Sequence, residues 1–440
     1  MTIRPAGTTG DWLAAGDVDS DAWWLKIATA GTPLVERQPD DERLKLIFFW
    51  RDPGGNETTS AFQRVYLDIN GVTDHHSFTP KSLERVPGTA VWCGTVLVEP
   101  DWRGSYSLIP ITGAQLPPQP QGDAEQQHQQ QREWWCSLFP CAIADPLNPN
   151  MPLDGVLSAI HLPQALSQQA WRDVDAGLSS LPADDLAFEW HSARLGNRRR
   201  VWLWQPEAGE DMPLIILLDG QKWVKTLSLL PVLEAQTRLG GLPAAVWLMI
   251  DAVDNDVRSR ELTCNADFWL AVQEELLPLA RQRAAFTDDP ARTLVAGQSY
   301  GGLSALYAAL FWPQRFGCVL TQSGSFWWPN MRFMTHFAER ESHEPGFLTQ
   351  QVARHPDAVP LRIFQEAGLR EQDIHFVNQQ MYQALIAAGH QVNYRSYQGG
   401  HDALCWRGGL IDGVRWLLEA DAAEPSLPPL RLRKSDEPAT

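Results

Sequence analysis

The sequence predicts an α/β protein built on a doubly wound, mostly parallel sheet, preceded by a smaller all-β sandwich domain. Three observations lead there. From Leu186 onward, short apolar strand-like runs alternate with segments whose apolar residues recur at helical spacing, the pattern of a parallel sheet with helices on both faces. Near the middle of that region a serine sits among glycines between one such strand and one such helix. Between Leu44 and Ile111, by contrast, short β-branched and aromatic runs follow one another without any helical pattern, as in a small antiparallel sandwich.

In chain order, the first unit reads as strands KLIFFWRD, RVYLDIN, AVWCGTVLVE and SYSLIPI, punctuated by DPGGNET and PDWRGS. Gly, Pro, Asn and Asp supply the turn conformations between them. GAQLPPQPQGDAEQQHQQQREWW then opens Pro/Gln-rich and reads as a linker, residues 113–135, that turns helical towards Arg132. The expected domains are a sandwich over 1–145 including that linker, a connector over 146–185, and an α/β domain over 186–440. In the last, LAFEWHSARL and RRVWLWQP read as paired strands. PLIILLDG is an apolar run of the kind buried on both faces of a parallel sheet. A helix around Val224–Leu239, strand AAVWLMID and helix FWLAVQEELLPLARQ follow. Strand TLVAGQS, helix LSALYAALFW, strands CVLTQSGS and LRIFQEAG, helix IHFVNQQMYQALIAAG, strand VNYRSYQGG and a terminal helix complete the set.

A chain of 440 residues is too long for one ordinary core, and 44% hydrophobic with 20% charged residues is a globular composition. The formal net charge of −17 repels phosphate backbones and anionic lipid, so neither nucleic acid nor a membrane surface is an expected partner. No run reaches the ~18 apolar residues of a membrane span. MTIRPAGTTGDWLAAGDVDSDAWW has no signal-peptide pattern, which makes the cytoplasm the expected compartment. Six cysteines without CxxC or Cys/His ligand spacing read as free thiols rather than a disulfide framework or zinc site. The adjacent pair His75-His76 does not make a metal site either, since neighbouring residues on a strand face opposite ways.

Gly297-Gln298-Ser299-Tyr300-Gly301 is a GxSxG pentapeptide following an apolar strand and opening a helix. That context marks a nucleophile elbow, in which a sharp turn thrusts the serine hydroxyl above the sheet, and it specifies the α/β-hydrolase fold. Ser299 is the expected nucleophile, with the Tyr300 amide as one oxyanion donor. The second donor falls on the loop after PLIILLDG, where the Gln221 or Lys222 amide is the candidate. His401, in Gly399-Gly400-His401-Asp402 after the last strand, is the expected base, because imidazole exchanges protons near working pH and the fold orders its residues Ser, acid, His. The acid belongs on the loop after LRIFQEAG, where Glu366, Glu371 and Asp373 compete. Glu371, three residues past Gly368, is preferred, and a Ser–His dyad remains open.

LLDGQKW, RSREL, GQSYGG, QSGSFWW and GGHD in this order resemble the esterase-D-like branch of the α/β-hydrolases, and within it the enterochelin (enterobactin) esterases. The resemblance covers nearly the whole chain. It implies a serine esterase that cuts the trilactone of a ferric catecholate siderophore, with no cofactor, because iron arrives inside the substrate. It also implies Glu371 as the acid, where many relatives place Asp. A bulky, trianionic, aromatic ligand calls for cations and aromatic faces near the site. Arg258 and Arg260 in RSREL, and Trp327 and Trp328, sit at the same sheet edge and are the binding candidates, with Lys222 nearby; a loop-pinning ion pair of Arg260 with Glu261 or Glu274 is the alternative for that residue. Rival readings are an esterase for another aromatic ester such as a feruloyl ester, an acyltransferase, and a non-catalytic siderophore binder. The oligomeric state is open.

Overall fold

The structure, a computed structural model, describes residues 3–5, 8–74, 76–179, 181–335, 337–355 and 358–418. His75 and the end of the expected 186–440 domain, residues 419–440, lie outside them. Two eight-stranded sheets organise the chain.

The N-terminal sheet contains β1 (Ile3–Arg4), β2 (Leu34–Arg37), β3 (Leu44–Arg51), β4 (Phe62–Ile69), β5 (Ser82–Arg85), β6 (Val91–Val98), β7 (Arg103–Thr112) and β8 (Ser158–His161). Their order is β1-β2-β3-β6-β5-β4-β7-β8, antiparallel except for β1 and β2. Its corner is β5: Ser82 and Leu83 pair with β4, whereas Glu84 and Arg85 pair with β6. A strand that changes partners folds the sheet over, so Phe48 and Trp50 of β3 share one core with Leu67 of β4 and Leu108 of β7. Three features add detail to the β domain expected from the sequence. Helix Asp21–Ala30 covers one outer face with Trp23, Trp24 and Ile27. The linker, expected to turn helical only towards Arg132, is helical from Ala124 to Ser137, and its Trp134 and Trp135 cover the other face against Tyr66 and Ile109 while most of its glutamines face solvent. The expected connector supplies β8, an edge strand on β7.

The second sheet contains β9 (Ala187–Ser192), β10 (Asn197–Trp204), β11 (Leu214–Leu217), β12 (Val246–Ile250), β13 (Thr293–Gln298), β14 (Cys318–Gln322), β15 (Arg362–Gly368) and β16 (Gln391–Tyr397), ordered β16-β15-β14-β13-β11-β12-β10-β9. β11 to β16 are parallel, and β9 and β10 form an antiparallel edge. From β11 the chain winds outward through β12, then returns to β13 and winds the other way. The switch between β11 and β13 is where an open α/β sheet exposes its ligand site. The helix expected at Val224–Leu239 is instead a π-turn, Lys222–Thr226, and a helix, Leu229–Arg238, separated by Ser228 in a left-handed conformation (φ 53°). A second π-turn, Val272–Leu276, interrupts the next helix just before Pro278, whose missing N–H and ring are incompatible with an unbroken α-helical ladder. Among the described residues no helix is long and apolar enough to cross a membrane.

Candidate active site

β13 ends at Gln298 and the helix Tyr300–Phe311 begins at once, leaving Ser299 alone in the turn at φ 58°, ψ −121°. That conformation is strained for any residue with a Cβ, and strain of this kind, about 1–3 kcal/mol, collects at functional sites. The surroundings enforce it. A Cβ at Gly297 would stand 2.3 Å from the Gly301 carbonyl carbon, and one at Gly302 would stand 2.7 Å from Thr321 Oγ1. The Ser299 amide donates to Gln322 O (3.0 Å) and the Ser325 amide donates to Ser299 O (3.1 Å), which stitches the turn to the end of β14. Below it, Trp223 Nε1 donates to Gln298 Oε1 (3.0 Å), and Gln298 Nε2 donates to Gln322 Oε1 (2.8 Å). The first variable position of the pentapeptide, Gln298, is thus a buried anchor.

His401 follows β16, and its Nδ1 lies 2.6 Å from Glu371 Oε2. With Nδ1 donating to that carboxylate, Nε2 is the basic nitrogen. Glu371 is buried, and its Oε1 accepts from Ser323 Oγ (2.6 Å), the Gly368 amide (2.9 Å) and Tyr397 OH (3.2 Å). Burial pushes the Tyr397 phenol well up, so it stays a hydroxyl and can serve as a donor. The Trp406 indole stands edge-on to the imidazole at 4.8 Å and donates from Nε1 to Ser323 Oγ (2.9 Å). The other two acids are engaged elsewhere. Glu366 is fully buried against Arg395 (2.6 Å) and Gln322 (2.5 Å). Asp373 Oδ1 accepts its neighbour's amide, Ile374 N (2.9 Å), and burial, with the Glu371 charge adding to it, pushes the Asp373 carboxyl up.

Ser299, Tyr300, Ser325, Trp327, Glu371 and His401 line one open cleft of about 860 Å³, whose opposite wall is residues 70–74 and His76 of the N-terminal unit. The Ser299 hydroxyl bonds to Ser325 Oγ at 3.3 Å, and the imidazole lines the same cleft. The first amides of a helix have no carbonyl partner within it, which leaves the Tyr300 N–H available at the elbow.

Several expected site residues are placed differently. The Lys222 amide donates to Asp219 O (2.9 Å), so of the two loop candidates only the Gln221 amide stays free for an oxyanion. Arg258 is not a free cation: it grips buried Asp219 through Nε (2.6 Å) and Nη2 (2.7 Å), reaches Gln298 O (3.3 Å) and lies 5.6 Å from the Tyr300 ring centroid. It therefore braces the elbow from behind. Arg260 is exposed and off the cleft wall, and its expected partners are taken, Glu261 by Arg199 and Glu274 by Arg194. Trp327 lines the cleft beside Tyr300 (5.8 Å between centroids), whereas Trp328 turns away onto Phe347. The cleft's arginine is Arg370, paired with Glu99. Sequence reasoning missed Ser323 and Ser325, although both lie in the QSGSFWW motif. Two serines two residues apart at a strand end, straddling a glycine, were the available signal.

Residues 45–171 match the family model described as "Enterochelin esterase, N-terminal", and residues 192–417 match the model described as "Putative esterase". The chain is 58% identical to an iron(III) enterobactin esterase of Dickeya dadantii, over 95% of this chain and 97% of that one. It is 44% identical to an iron(III) enterobactin esterase of Escherichia coli K12, over 91% and 97%. Among solved structures, the enterobactin esterase of Shigella flexneri in the presence of enterobactin superposes with a TM-score of 0.76 at 41% identity, covering 91% of this chain and 99% of that one.

Proposed function

The chain belongs to the enterobactin esterases, and from that premise we propose that it hydrolyses the serine-ester bonds of ferric enterobactin by way of an acyl-enzyme on Ser299. The observation that carries the reading is the single cleft shared by Ser299, the His401–Glu371 pair and an N-terminal wall. Its size suits a bulky ligand, and the Tyr300 and Trp327 rings offer faces to a catecholate.

The Ser299 hydroxyl turns from Ser325 to the imidazole, His401 Nε2 takes its proton, and Oγ attacks a lactone carbonyl. The oxyanion sits on the Tyr300 and Gln221 amides, aimed at charge that develops only in the transition state. His401 returns the proton to the departing seryl alkoxide, and water then repeats the cycle on the acyl-enzyme. Glu371 holds the imidazole in the working tautomer and stabilises its charged form. These groups suffice for ester hydrolysis, so the reading requires no resident cofactor, and iron enters as part of the substrate. We place the action in the cytoplasm, a compartment that keeps cysteines as thiols.

Chromatography of ferric enterobactin after incubation with the protein tests this. Linear dihydroxybenzoyl-serine species are expected. An intact trilactone alongside rapid cleavage of a simple aryl ester would keep the esterase and remove its substrate.

A further inference from the structure

The loop that carries His401 is held from outside its own domain. On one side β7 runs along it: the Arg103 amide donates to Gln398 O (3.0 Å), the Ser105 amide donates to Asp402 Oδ2 (2.5 Å), and Cys405 Sγ lies 3.3 Å from Arg103 O. On the other side Asn70, in the turn after β4, donates from Nδ2 to the carbonyl of His401 itself (3.1 Å). The two backbones touch there. A Cβ at Gly400 would fall 2.2 Å from Asn70 Oδ1, and one at Gly71, which sits at φ 71°, would fall 2.7 Å from Arg370 Cβ and 3.0 Å from Gly400 Cα. Arg370, next to Glu371, is in turn paired with Glu99 beyond β6. Both members of the His401–Glu371 pair therefore have a neighbour or a main-chain group fixed to the N-terminal sheet.

We propose that Asn70 is a positioning residue for the reaction: by holding the His401 main chain it sets where Nε2 meets Ser299, which makes the N-terminal domain part of the catalytic unit as well as a wall of the cleft. The imidazole is fixed at Nδ1 by Glu371 and along one side by Trp406, but it remains about one-third exposed on the cleft side. Rotation of the loop backbone is the freedom these contacts leave; β7 restrains the loop at Gln398, Asp402 and Cys405, and the Asn70 amide restrains it at His401 itself. The inference rests on His401 as the base.

The test uses the full-length chain with Asn70→Asp, which keeps the shape but cannot donate to a carbonyl, and Asn70→Ala as a second variant should the new carboxylate disturb folding. Each is assayed on ferric enterobactin and on p-nitrophenyl acetate, too small to bridge from Ser299 to the N-terminal wall. Misplacing a catalytic group by about 1 Å costs on the order of 100-fold, so kcat is expected to fall about 10- to 100-fold on both substrates, with KM for the small ester little changed. In a His401→Ala background, Asn70→Asp should cause no further loss, because a residue acting through His401 has nothing left to position. An increase in KM for enterobactin with an unchanged rate on the small ester would overturn the inference, making Asn70 a substrate contact. So would an equal loss in the His401→Ala background, which would mark a purely structural role. A His401→Ala enzyme at the wild-type rate would overturn the base assignment itself, and this inference with it.

Discussion

Ser299→Ala is expected to lower kcat for ferric enterobactin by about 10⁶-fold, the scale on which a hydrolase loses its nucleophile, while binding of the siderophore stays near the wild-type level. The size follows from the chemistry assigned to one oxygen. Without Oγ there is no acyl-enzyme, and what survives is water attack assisted by the oxyanion amides and by binding. Misfolding does not account for such a loss, because alanine fits the turn as serine does and carries the same positive-φ strain. That strain gives an internal control. Ser299→Gly relieves a backbone held at φ 58°, ψ −121° and is expected to raise stability by about 1–3 kcal/mol with the same collapse in rate. Initial rates from product chromatography and thermal melts of the three proteins read both effects. Rates of Ser299→Ala within tenfold of wild type would remove the nucleophile from the account.

Glu371→Gln is expected to cost about 10⁴-fold in kcat, as when a triad carboxylate becomes an amide. The surroundings of Glu371 show why the amide cannot settle. Its Oε1 already faces three groups, Gly368 N–H, Ser323 Oγ and Tyr397 OH, and its Oε2 faces His401 Nδ1. If a glutamine presents its oxygen to Nδ1, its NH₂ meets the Gly368 N–H donor to donor. If it presents its NH₂ to Nδ1, the imidazole must accept there, and Nε2 then carries the proton and cannot take one from Ser299. The first orientation clashes at Gly368 and withdraws the charge that stabilises the imidazolium, and the second blocks the base, so pre-steady-state rates of acylation should fall with kcat. An equivalent Glu366→Gln should not show this kinetic loss, since Glu366 faces Arg395 rather than the imidazole. Full activity in Glu371→Gln would restore the Ser–His dyad that the sequence leaves open.

The central features were legible because they are local. A buried strand, a glycine-flanked serine and an alanine-rich helix are consecutive in the chain, and His401 follows the last strand, so pattern and order suffice. The choice among Glu366, Glu371 and Asp373 was legible only as a preference for Glu371, drawn from its place beyond the strand end: all three cluster there, and the path of the backbone after Gly368 is what turns Glu371 to the imidazole. The ion pair of Arg258 was not legible for a similar reason. An arginine at a sheet's carboxyl edge reads the same whether free or paired, and its partner Asp219 lies 39 residues away. Trp134 and Trp135 were hidden by the glutamines around them. Asn70 carries no sequence signal at all, because its contact spans 331 residues and exists only once the two sheets meet.

The most direct test of the central claim is titration with a small alkyl fluorophosphonate, following enterobactin hydrolysis as the reagent is consumed and mapping the adduct by peptide mass spectrometry. Activity is predicted to fall in proportion to labelling, reaching zero at one adduct per chain, with the mass on the peptide that contains Ser299. Full labelling of Ser299 with hydrolysis undiminished, or loss of activity with the adduct on another residue, would contradict the account.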